Sequence, residues 1–214
     1  MVRGGQERPD SGLRSDARRN QQRILRAAAR LLAADPASTI QQIADEAEVA
    51  RPTVYRRYPT REALVEAIIA EATAEFAVVL DDVASQAGSA AEAIGQLIRQ
   101  LARISADYPI LLSGPDGAHP PGDGTRREMA ALVSRFDAQI ARGQQDRSVR
   151  TDLAPEVLRH SLFGALSMSM RLRQQQPAGT RLGPDEIGEQ VTSLFMEGLR
   201  PRAPAGPGRA GQAG

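Results

Sequence analysis

The sequence contains no cysteine, no lysine and no tryptophan, and only two histidines occur among its 214 residues. Because cysteine is absent, disulfides, thiolate metal sites and cysteine nucleophiles are excluded. His119 and His160 are distant in the chain, and neither forms a recognisable metal set or catalytic group with its neighbours. We therefore predict no metal site, no cofactor and no enzymatic activity.

Long apolar runs are also missing. No N-terminal stretch has the pattern of a signal peptide, and no stretch approaches the length of a membrane span. The composition, with 41% hydrophobic and 25% charged residues, is ordinary for a globular protein in water. The sequence thus predicts a cytoplasmic protein without a membrane partner.

All 27 basic residues are arginines, and they are unevenly distributed. Residues 1–61 hold 12 arginines and 7 acidic residues, a net charge of +5, whereas residues 62–214 carry a net charge of −4. A basic N-terminal third joined to an acidic remainder is typical of a protein with one end for nucleic acid. Chance scatter with a solvated arginine-rich tail is the alternative, and charge alone does not separate the two.

Apolar residues recur at helical spacing through most of the chain, and no segment shows the alternation of a strand. The predicted helices cover residues 17–34, 40–47, 51–58, 60–87, 90–107, 125–143, 154–174 and a last segment from 184. The fold class is therefore all-α. Composition predicts a disordered tail at 1–16, a small helical domain at 17–64, a larger one at 65–200 and a second disordered tail at 201–214.

Two short helices joined by a tight turn are predicted between residues 39 and 58. Thr39 is a good N-cap, because its hydroxyl accepts a hydrogen bond from a free N–H of the first turn. Val49 is the apolar residue of the turn, and Pro52 opens the second helix at a position where its missing N–H costs nothing. Pro59 ends that helix, since it disfavours helical geometry at the preceding residue.

The second of these helices is too polar to be a packing element. It offers one aliphatic side chain, Val54, beside three arginines and two tyrosines. An arginine-rich helix of this size fits the major groove of duplex DNA. The pattern therefore predicts a helix-turn-helix unit completed by the preceding helix at residues 17–34.

The segment TIQQIADEAEVARPTVYRRYPTREALVEAI resembles the helix-turn-helix of the tetracycline-repressor (TetR) family of transcriptional regulators. The motif residues are Thr39, Ile43-Ala44, Val49, Pro52-Thr53-Val54-Tyr55, Tyr58 and Arg61-Glu62-Ala63-Leu64. The motif covers roughly residues 18–70, and its elements fall at fixed spacing. The resemblance implies a C-terminal domain that binds a small ligand and dimerises through its last two helices.

Three positions depart from the family pattern. Glu48 stands where the turn usually carries glycine, which implies about 1 kcal/mol of strain if the position requires positive φ. Arg57 replaces a frequent histidine, and Arg61 replaces a phosphate-contacting lysine. The two arginines preserve positive charge, so DNA binding is expected while sequence preference is not transferable.

The resemblance assigns a set of candidate DNA-binding residues. Arginine bonds guanine bidentately and the Thr53 methyl suits a thymine methyl, whereas hydroxyls and Arg61 suit phosphates. For Tyr58 the alternative is packing beneath the motif. The predicted set is Thr39, Gln41, Arg51, Pro52, Thr53, Tyr55, Arg56, Arg57, Tyr58 and Arg61.

The C-terminal domain offers candidates for a ligand pocket and a dimer interface, and each of them is also a plausible core residue. With only 3% aromatic residues, a pocket should be mostly aliphatic and suit a flexible apolar effector better than a planar dye. The pocket candidates are Phe76, Leu97, Leu101, Tyr108, Met129, Phe136, Phe163 and Met170. The interface candidates are Val157, His160, Leu166, Val191, Leu194 and Phe195.

The sequence thus predicts a homodimeric repressor that binds a near-palindromic DNA operator and is released by a small-molecule effector. An activator or a regulator without a ligand has the same fold and is the first alternative. An all-α enzyme or ligand carrier is the second, although no convergent catalytic set supports it.

Overall fold

The computed structural model describes residues 10–109, 111 and 121–199. These residues form eight α-helices and contain no strand, which confirms the all-α prediction. The helices are α1 (Asp10–Ala34), α2 (Ile40–Glu46), α3 (Arg51–Arg57), α4 (Arg61–Gln86), α5 (Ala90–Asp107), α6 (Asp123–Gln145), α7 (Pro155–Gln175) and α8 (Pro184–Leu199). Among the described helices, none is both long and apolar enough to cross a membrane.

Helices α1 to α3 form a small unit whose ends are set by local sequence. The Thr39 hydroxyl accepts from the Gln42 N–H at 3.2 Å, and the Gln42 side chain accepts from the Thr39 N–H at 2.7 Å. This reciprocal pair satisfies two free donors at the start of α2. Pro52 lies in the first turn of α3, and α3 ends before Tyr58, as predicted. Ile43, Ala44 and Val54 are fully buried.

The turn between α2 and α3 requires the left-handed conformation. Glu48 has a φ of 51°, a region in which a residue with a Cβ is strained. Glu48 therefore holds a backbone conformation that glycine would adopt without strain. Its carboxylate accepts from the Arg23 guanidinium of α1 at 2.7 Å, an exposed ion pair that offsets only part of the strain.

Helix α4 belongs to both halves of the molecule. The Thr60 hydroxyl caps its start by accepting from the Ala63 N–H at 3.1 Å. Its 26 residues extend about 39 Å. The first turns bury Leu64 and Ile68 beside α1, whereas the last turns bury Leu80 and Val83 in the C-terminal domain.

Helix α5 is the centre of the C-terminal domain, and α4, α6, α7 and α8 all contact it. Helix α8 packs closely on it, because Gly188 has no side chain at the contact. A Cβ at Gly188 would lie 3.1 Å from the Ala102 Cβ and 3.2 Å from the Arg99 Cα. The absence of that methyl lets the two helix backbones approach.

The structure differs from the predicted limits by two residues or more in two helices. Helix α1 begins at Asp10, so residues 10–16 of the predicted disordered tail are helical. Helix α6 covers Asp123–Gln145 and extends two residues beyond the predicted helix at each end. The rest of the two predicted tails, and most of the segment between the fifth and sixth predicted helices, which includes His119, lie outside the described residues.

Candidate nucleic-acid interface and internal cavity

Helix α3 presents almost its whole surface outward. Arg51, Arg56 and Arg57 are exposed, as is Pro52, and Thr53 is half-buried. The only buried residue of the helix is Val54. The helix is therefore anchored by one side chain and leaves its cations to solvent or to a partner.

The arginines of α3 differ in what they contact. The Arg51 guanidinium lies 5.2 Å from the ring centroid of Tyr55 and donates to its hydroxyl at 3.3 Å. Arg57 donates to the Ala17 carbonyl of α1 at 3.4 Å. Arg56 makes no hydrogen bond or ion pair with any described residue. Arg56 is thus the arginine of α3 whose donors are all available to a ligand.

A crevice of about 380 Å³ lies beside α3. Six polar residues line it: Ser38, Thr39, Tyr55, Tyr58, Thr60 and Arg61. Four of them, Thr39, Tyr55, Tyr58 and Arg61, belong to the predicted DNA-binding set. The crevice brings together residues from the starts of α2 and α4 that are 22 positions apart in sequence, and its hydroxyl and guanidinium groups are donors suited to a phosphate.

Arg61 also has a role within the fold. Its guanidinium donates to the Ser38 carbonyl at 3.1 Å and to the Pro36 carbonyl. Both acceptors belong to the loop that precedes α2. A guanidinium has five N–H donors, so some of them are left for a phosphate. Arg61 therefore joins the start of α4 to the helix-turn-helix.

Tyr58 is corrected from a surface contact to a core residue. Its side chain is 6% exposed, and its hydroxyl is buried without a hydrogen-bond partner among the described residues. Burial raises the pKa of the Tyr58 hydroxyl, and the nearby Arg57 opposes the rise. The aromatic ring packs beneath the motif, which was the stated alternative.

Gln41 and the start of α1 complete the surface. The Gln41 amide donates to Asp45 of the same helix at 2.7 Å, so it is exposed but locally paired. The Arg57 contact with Ala17 places α1 beside the end of α3, and the exposed Arg18 and Arg19 follow directly in the chain. These two arginines are outside the predicted DNA-binding set, although they contribute to the positive net charge of the N-terminal third.

The C-terminal domain contains a partly open cavity of about 230 Å³ that is lined by residues of α4, α5, α6 and α7. Five predicted residues line it: Phe76, Leu101, Met129, Phe136 and Phe163. The lining also includes residues that were not predicted for it: Ala72, Thr73, Ile104, Ser105, Leu111, Leu132, Val133, Leu166 and Ser167. The rings of Phe136 and Phe163 meet edge to face at 5.5 Å. The cavity is largely apolar.

Three predicted pocket residues lie elsewhere. Leu97 and Met170 are buried in the core and do not line the cavity. Tyr108 is also fully buried, and its ring lies under the Arg26 guanidinium of α1 at 5.9 Å. Burial raises the pKa of Tyr108 to about 12, and its hydroxyl lacks a partner of good geometry among the described residues. Helical periodicity marks these positions as apolar without separating core from cavity.

Two polar contacts join the DNA-binding unit to the cavity domain. Arg26 of α1 lies 3.4 Å from Glu75 of α4 and 3.4 Å from Asp107 at the end of α5. Glu66 of α4 accepts from the Gly122 N–H at 2.7 Å and from the Thr125 hydroxyl. Glu66 thereby caps the start of α6, one of the helices that form the cavity.

The outward face of α7 and α8 carries exposed apolar side chains. Val157, Met168, Leu172 and Leu194 are 48%, 66%, 57% and 67% exposed. His160 is also exposed, and its Nδ1 lies 2.6 Å from the Glu156 carbonyl.

The predicted dimer set is corrected at two positions. Leu166 and Val191 are buried in the protomer, so they are unavailable to a partner, and Phe195 is half-buried. Met168 and Leu172 were not in the predicted set. Among the described residues, no group of three histidine, aspartate or glutamate side chains is arranged to hold a metal ion.

An outward arginine helix on a helix-turn-helix, followed by a helical domain around a cavity, defines a DNA-binding regulator. The model of the family described as bacterial regulatory proteins, tetR family, matches residues 24–68. Residues 24–68 therefore carry a DNA-binding domain of the TetR type. The prediction made from the helix-turn-helix motif is thereby confirmed.

Solved structures resemble the whole described fold. The TetR-like regulator LfrR of Mycobacterium smegmatis, solved with proflavine, has a TM-score of 0.63 at 16% identity, covering 85% of this chain and 97% of its own. FadR of Bacillus subtilis, solved with stearoyl-CoA, has a TM-score of 0.59 at 16% identity, covering 83% and 98%.

A third similar structure is the TetR regulator SCO0520 of Streptomyces coelicolor. It has a TM-score of 0.57 at 24% identity, covering 86% of this chain and 99% of its own. At such identities these likenesses establish the shared fold. A sequence search found no match among curated proteins.

Proposed function

We propose that the protein is a cytoplasmic homodimeric repressor that binds a near-palindromic operator and leaves it when a small molecule fills the cavity. The observation that carries the proposal is the joint presence of an outward arginine helix and an apolar cavity in one chain. In a dimer, the two α3 helices would enter successive major grooves. LfrR and FadR were solved with proflavine and stearoyl-CoA, which supports a small-molecule effector.

The DNA-binding roles divide between α3 and the crevice. We assign Arg51, Thr53 and Arg56 to base edges, since they lie on the outward surface of α3. Thr39, Tyr55 and Arg61 would bind phosphates, because they line one crevice with hydroxyl and guanidinium donors. Exposed residues Gln41, Pro52 and Arg57 would border the groove.

The outward face of α7 and α8 supports the proposed dimer. Val157, Met168, Leu172 and Leu194 form exposed apolar surface on two helices that pack against each other. Large exposed apolar patches on soluble proteins mark interaction sites. In a symmetric dimer, each residue of this face would meet the same face of the second copy.

Release from DNA would follow from contacts that join the cavity to α4. A ligand that contacts α6 would act on Glu66 of α4, because Glu66 binds the start of α6. Glu66 lies five residues after Arg61, which contacts the loop before α2. Arg26 provides a second link between α1 and the end of α5. A ligand releases DNA only if it binds the two conformations with different affinity.

Footprinting with purified full-length protein on DNA upstream of its own and neighbouring genes tests the proposal. We expect protection of a two-part site whose halves are about one helical turn, or a multiple of it, apart. Absence of any protected site at low salt from a confirmed dimer would refute it. Transcription of the target in a deletion strain separates a repressor, whose loss raises transcription, from an activator.

A further inference from the structure

The polar groups of the cavity define a narrower class of ligand than an apolar lining alone. We propose that the cavity selects an uncharged amphiphile of about eight to twelve heavy atoms, with one carbonyl or hydroxyl group bound by Ser105 and Ser167, and rejects carboxylates. This inference rests on the proposed effector role of the cavity. The residues that carry it are two serines and a lining without charge.

Among the residues that the structure describes, those that line the cavity carry no charge. No arginine, histidine, aspartate or glutamate is among its fourteen lining residues. A carboxylate bound against these residues would lose part of its hydration without gaining a counter-ion from them, which is unfavourable. A neutral head group loses far less hydration, and one or two hydrogen bonds replace it. The lining therefore discriminates against anions of the same size and shape.

The two serines have hydroxyls available for such a head group. Serine and threonine within helices commonly donate to the carbonyl four residues earlier. Thr73 does so to the Ile69 carbonyl at 2.7 Å, and Ser134 does so to the Ala130 carbonyl at 3.1 Å. Ser105 and Ser167 form no hydrogen bond with any described residue, yet Ser105 is buried and Ser167 half-buried.

A ligand can provide the hydrogen bonds that an unpaired hydroxyl in an apolar wall lacks. Each serine hydroxyl provides one donor and two acceptor positions. The Thr73 oxygen adds an acceptor only, because its hydrogen is committed to the Ile69 carbonyl. Ketones, esters, amides and alcohols match this set, since each contains an uncharged oxygen that accepts from Ser105 or Ser167.

The volume limits the size of the ligand. A cavity of about 150 Å³ holds one benzene molecule, and this cavity measures about 230 Å³. A ligand of about eight to twelve heavy atoms therefore fits without rearrangement. Met129, which is 37% exposed, has a flexible side chain at the cavity wall that could admit somewhat larger molecules.

Calorimetric titration of the full-length dimer with four eight-carbon probes tests the inference. The probes are 2-octanone, 1-octanol, octanoate at pH 7.5 and the purely apolar ethylbenzene. We expect 2-octanone and 1-octanol to bind at least tenfold more tightly than octanoate. Equal or tighter binding of octanoate would overturn the inference, and so would the absence of binding by both neutral polar probes at millimolar concentration.

Serine substitutions locate the head group. Ser167→Ala and the double variant Ser105→Ala/Ser167→Ala should weaken 2-octanone binding by about threefold to tenfold for each hydrogen bond lost. Ethylbenzene affinity should stay unchanged, which shows that the cavity is intact. Ser134→Ala is the matched control, because its hydroxyl is already paired with the Ala130 carbonyl. Unchanged 2-octanone affinity in the double variant would overturn the assignment.

Footprinting of the same sample separates this inference from the proposed function. A protein that selects 2-octanone over octanoate but protects no DNA contradicts the repressor proposal and supports the cavity chemistry. A protein that protects its operator but binds octanoate as well as 2-octanone contradicts the cavity chemistry alone.

Discussion

Helices α3 and α5 differ both in composition and in what they do for the molecule. Helix α3 has seven residues and buries one, Val54, whereas α5 has 18 residues and buries ten. A seven-residue helix is unstable alone, so α3 depends on its neighbours for its shape. Helix α5 provides the core on which the C-terminal domain is built. Stability and DNA recognition are therefore located in different helices, and substitutions should separate them.

The largest effect is expected from Ile98→Ala at the centre of α5. Ile98 is fully buried, and removing its side chain leaves a void, so the free energy of unfolding should fall by about 2–5 kcal/mol. Urea denaturation measures this change. Val78→Ala on α4 is the control, since Val78 is 59% exposed and its loss should change stability by less than about 0.5 kcal/mol. Similar effects of the two substitutions would contradict the assigned core.

Tyr108, which follows α5, and Tyr58, which follows α3, allow the stability of the two regions to be compared at high pH. The folded-state pKa of Tyr108 is about 12, above its ordinary value of 10.0, so the unfolded chain loses this proton first. Below pH 10, Tyr108 makes its full contribution to stability. As the pH rises to 12 this contribution is lost, and the free energy of unfolding falls by about 2–3 kcal/mol.

The Tyr108→Phe variant should lack this part of the decline when denaturation is measured from pH 9 to pH 12. Tyr58, whose pKa is also raised, contributes a remaining decline. The exposed Tyr55→Phe on α3 is the control and should behave as the parent protein does. A Tyr108→Phe variant with the full decline would show that the hydroxyl is hydrated in the folded protein.

Arg56→Ala on α3 should affect DNA binding without affecting stability. Its guanidinium is exposed and forms no hydrogen bond or ion pair with a described residue, so its loss should reduce operator affinity about 10- to 100-fold. Fluorescence anisotropy with operator and random duplexes measures this change. The exposed Arg142→Ala on α6 removes the same charge from the other domain and should leave affinity within twofold. An equal reduction on random DNA would reassign Arg56 from bases to phosphates.

The smallest effect is expected at the turn between the two short helices. Glu48→Gly should stabilise the protein by about 0.5 kcal/mol. The relief of backbone strain at φ 51° outweighs two costs, which are the greater conformational entropy that glycine loses on folding and the loss of the exposed ion pair with Arg23. Thermal denaturation measures the shift. Glu48→Gln removes the charge but retains the strained backbone, so it should give no gain. A stabilised Gln variant would attribute the effect to charge instead.

The helix-turn-helix could be predicted closely because its signals are local. Thr39, Pro52, Pro59 and Thr60 act on their immediate neighbours, so the limits of α2, α3 and the start of α4 follow from adjacent residues. The start of α1 was placed too late because polar residues 10–16 lack the apolar periodicity that marks a helix. Helical geometry there follows from continuation of the helix behind it.

The cavity and the outer face could be predicted only in part. Leu97 and Leu101 are one turn apart on α5 and equally apolar, yet Leu97 lies in the core and Leu101 lines the cavity. Leu166 and Leu194 are the same residue type, yet one faces the cavity and the other is exposed. Periodicity identifies the apolar side of a helix, but a void or a free surface depends on where other helices lie.

The sequence alone determined the all-α class, the limits of the DNA-binding helices and the position of Glu48 as the irregular turn residue. These properties depend on backbone preferences, caps and prolines, which act over a few residues. The tertiary structure decided that Tyr58 is buried, that Arg61 holds the loop before α2, and that Ser105 and Ser167 face one cavity. Those outcomes arise from contacts between helices distant in the chain, which no local pattern encodes.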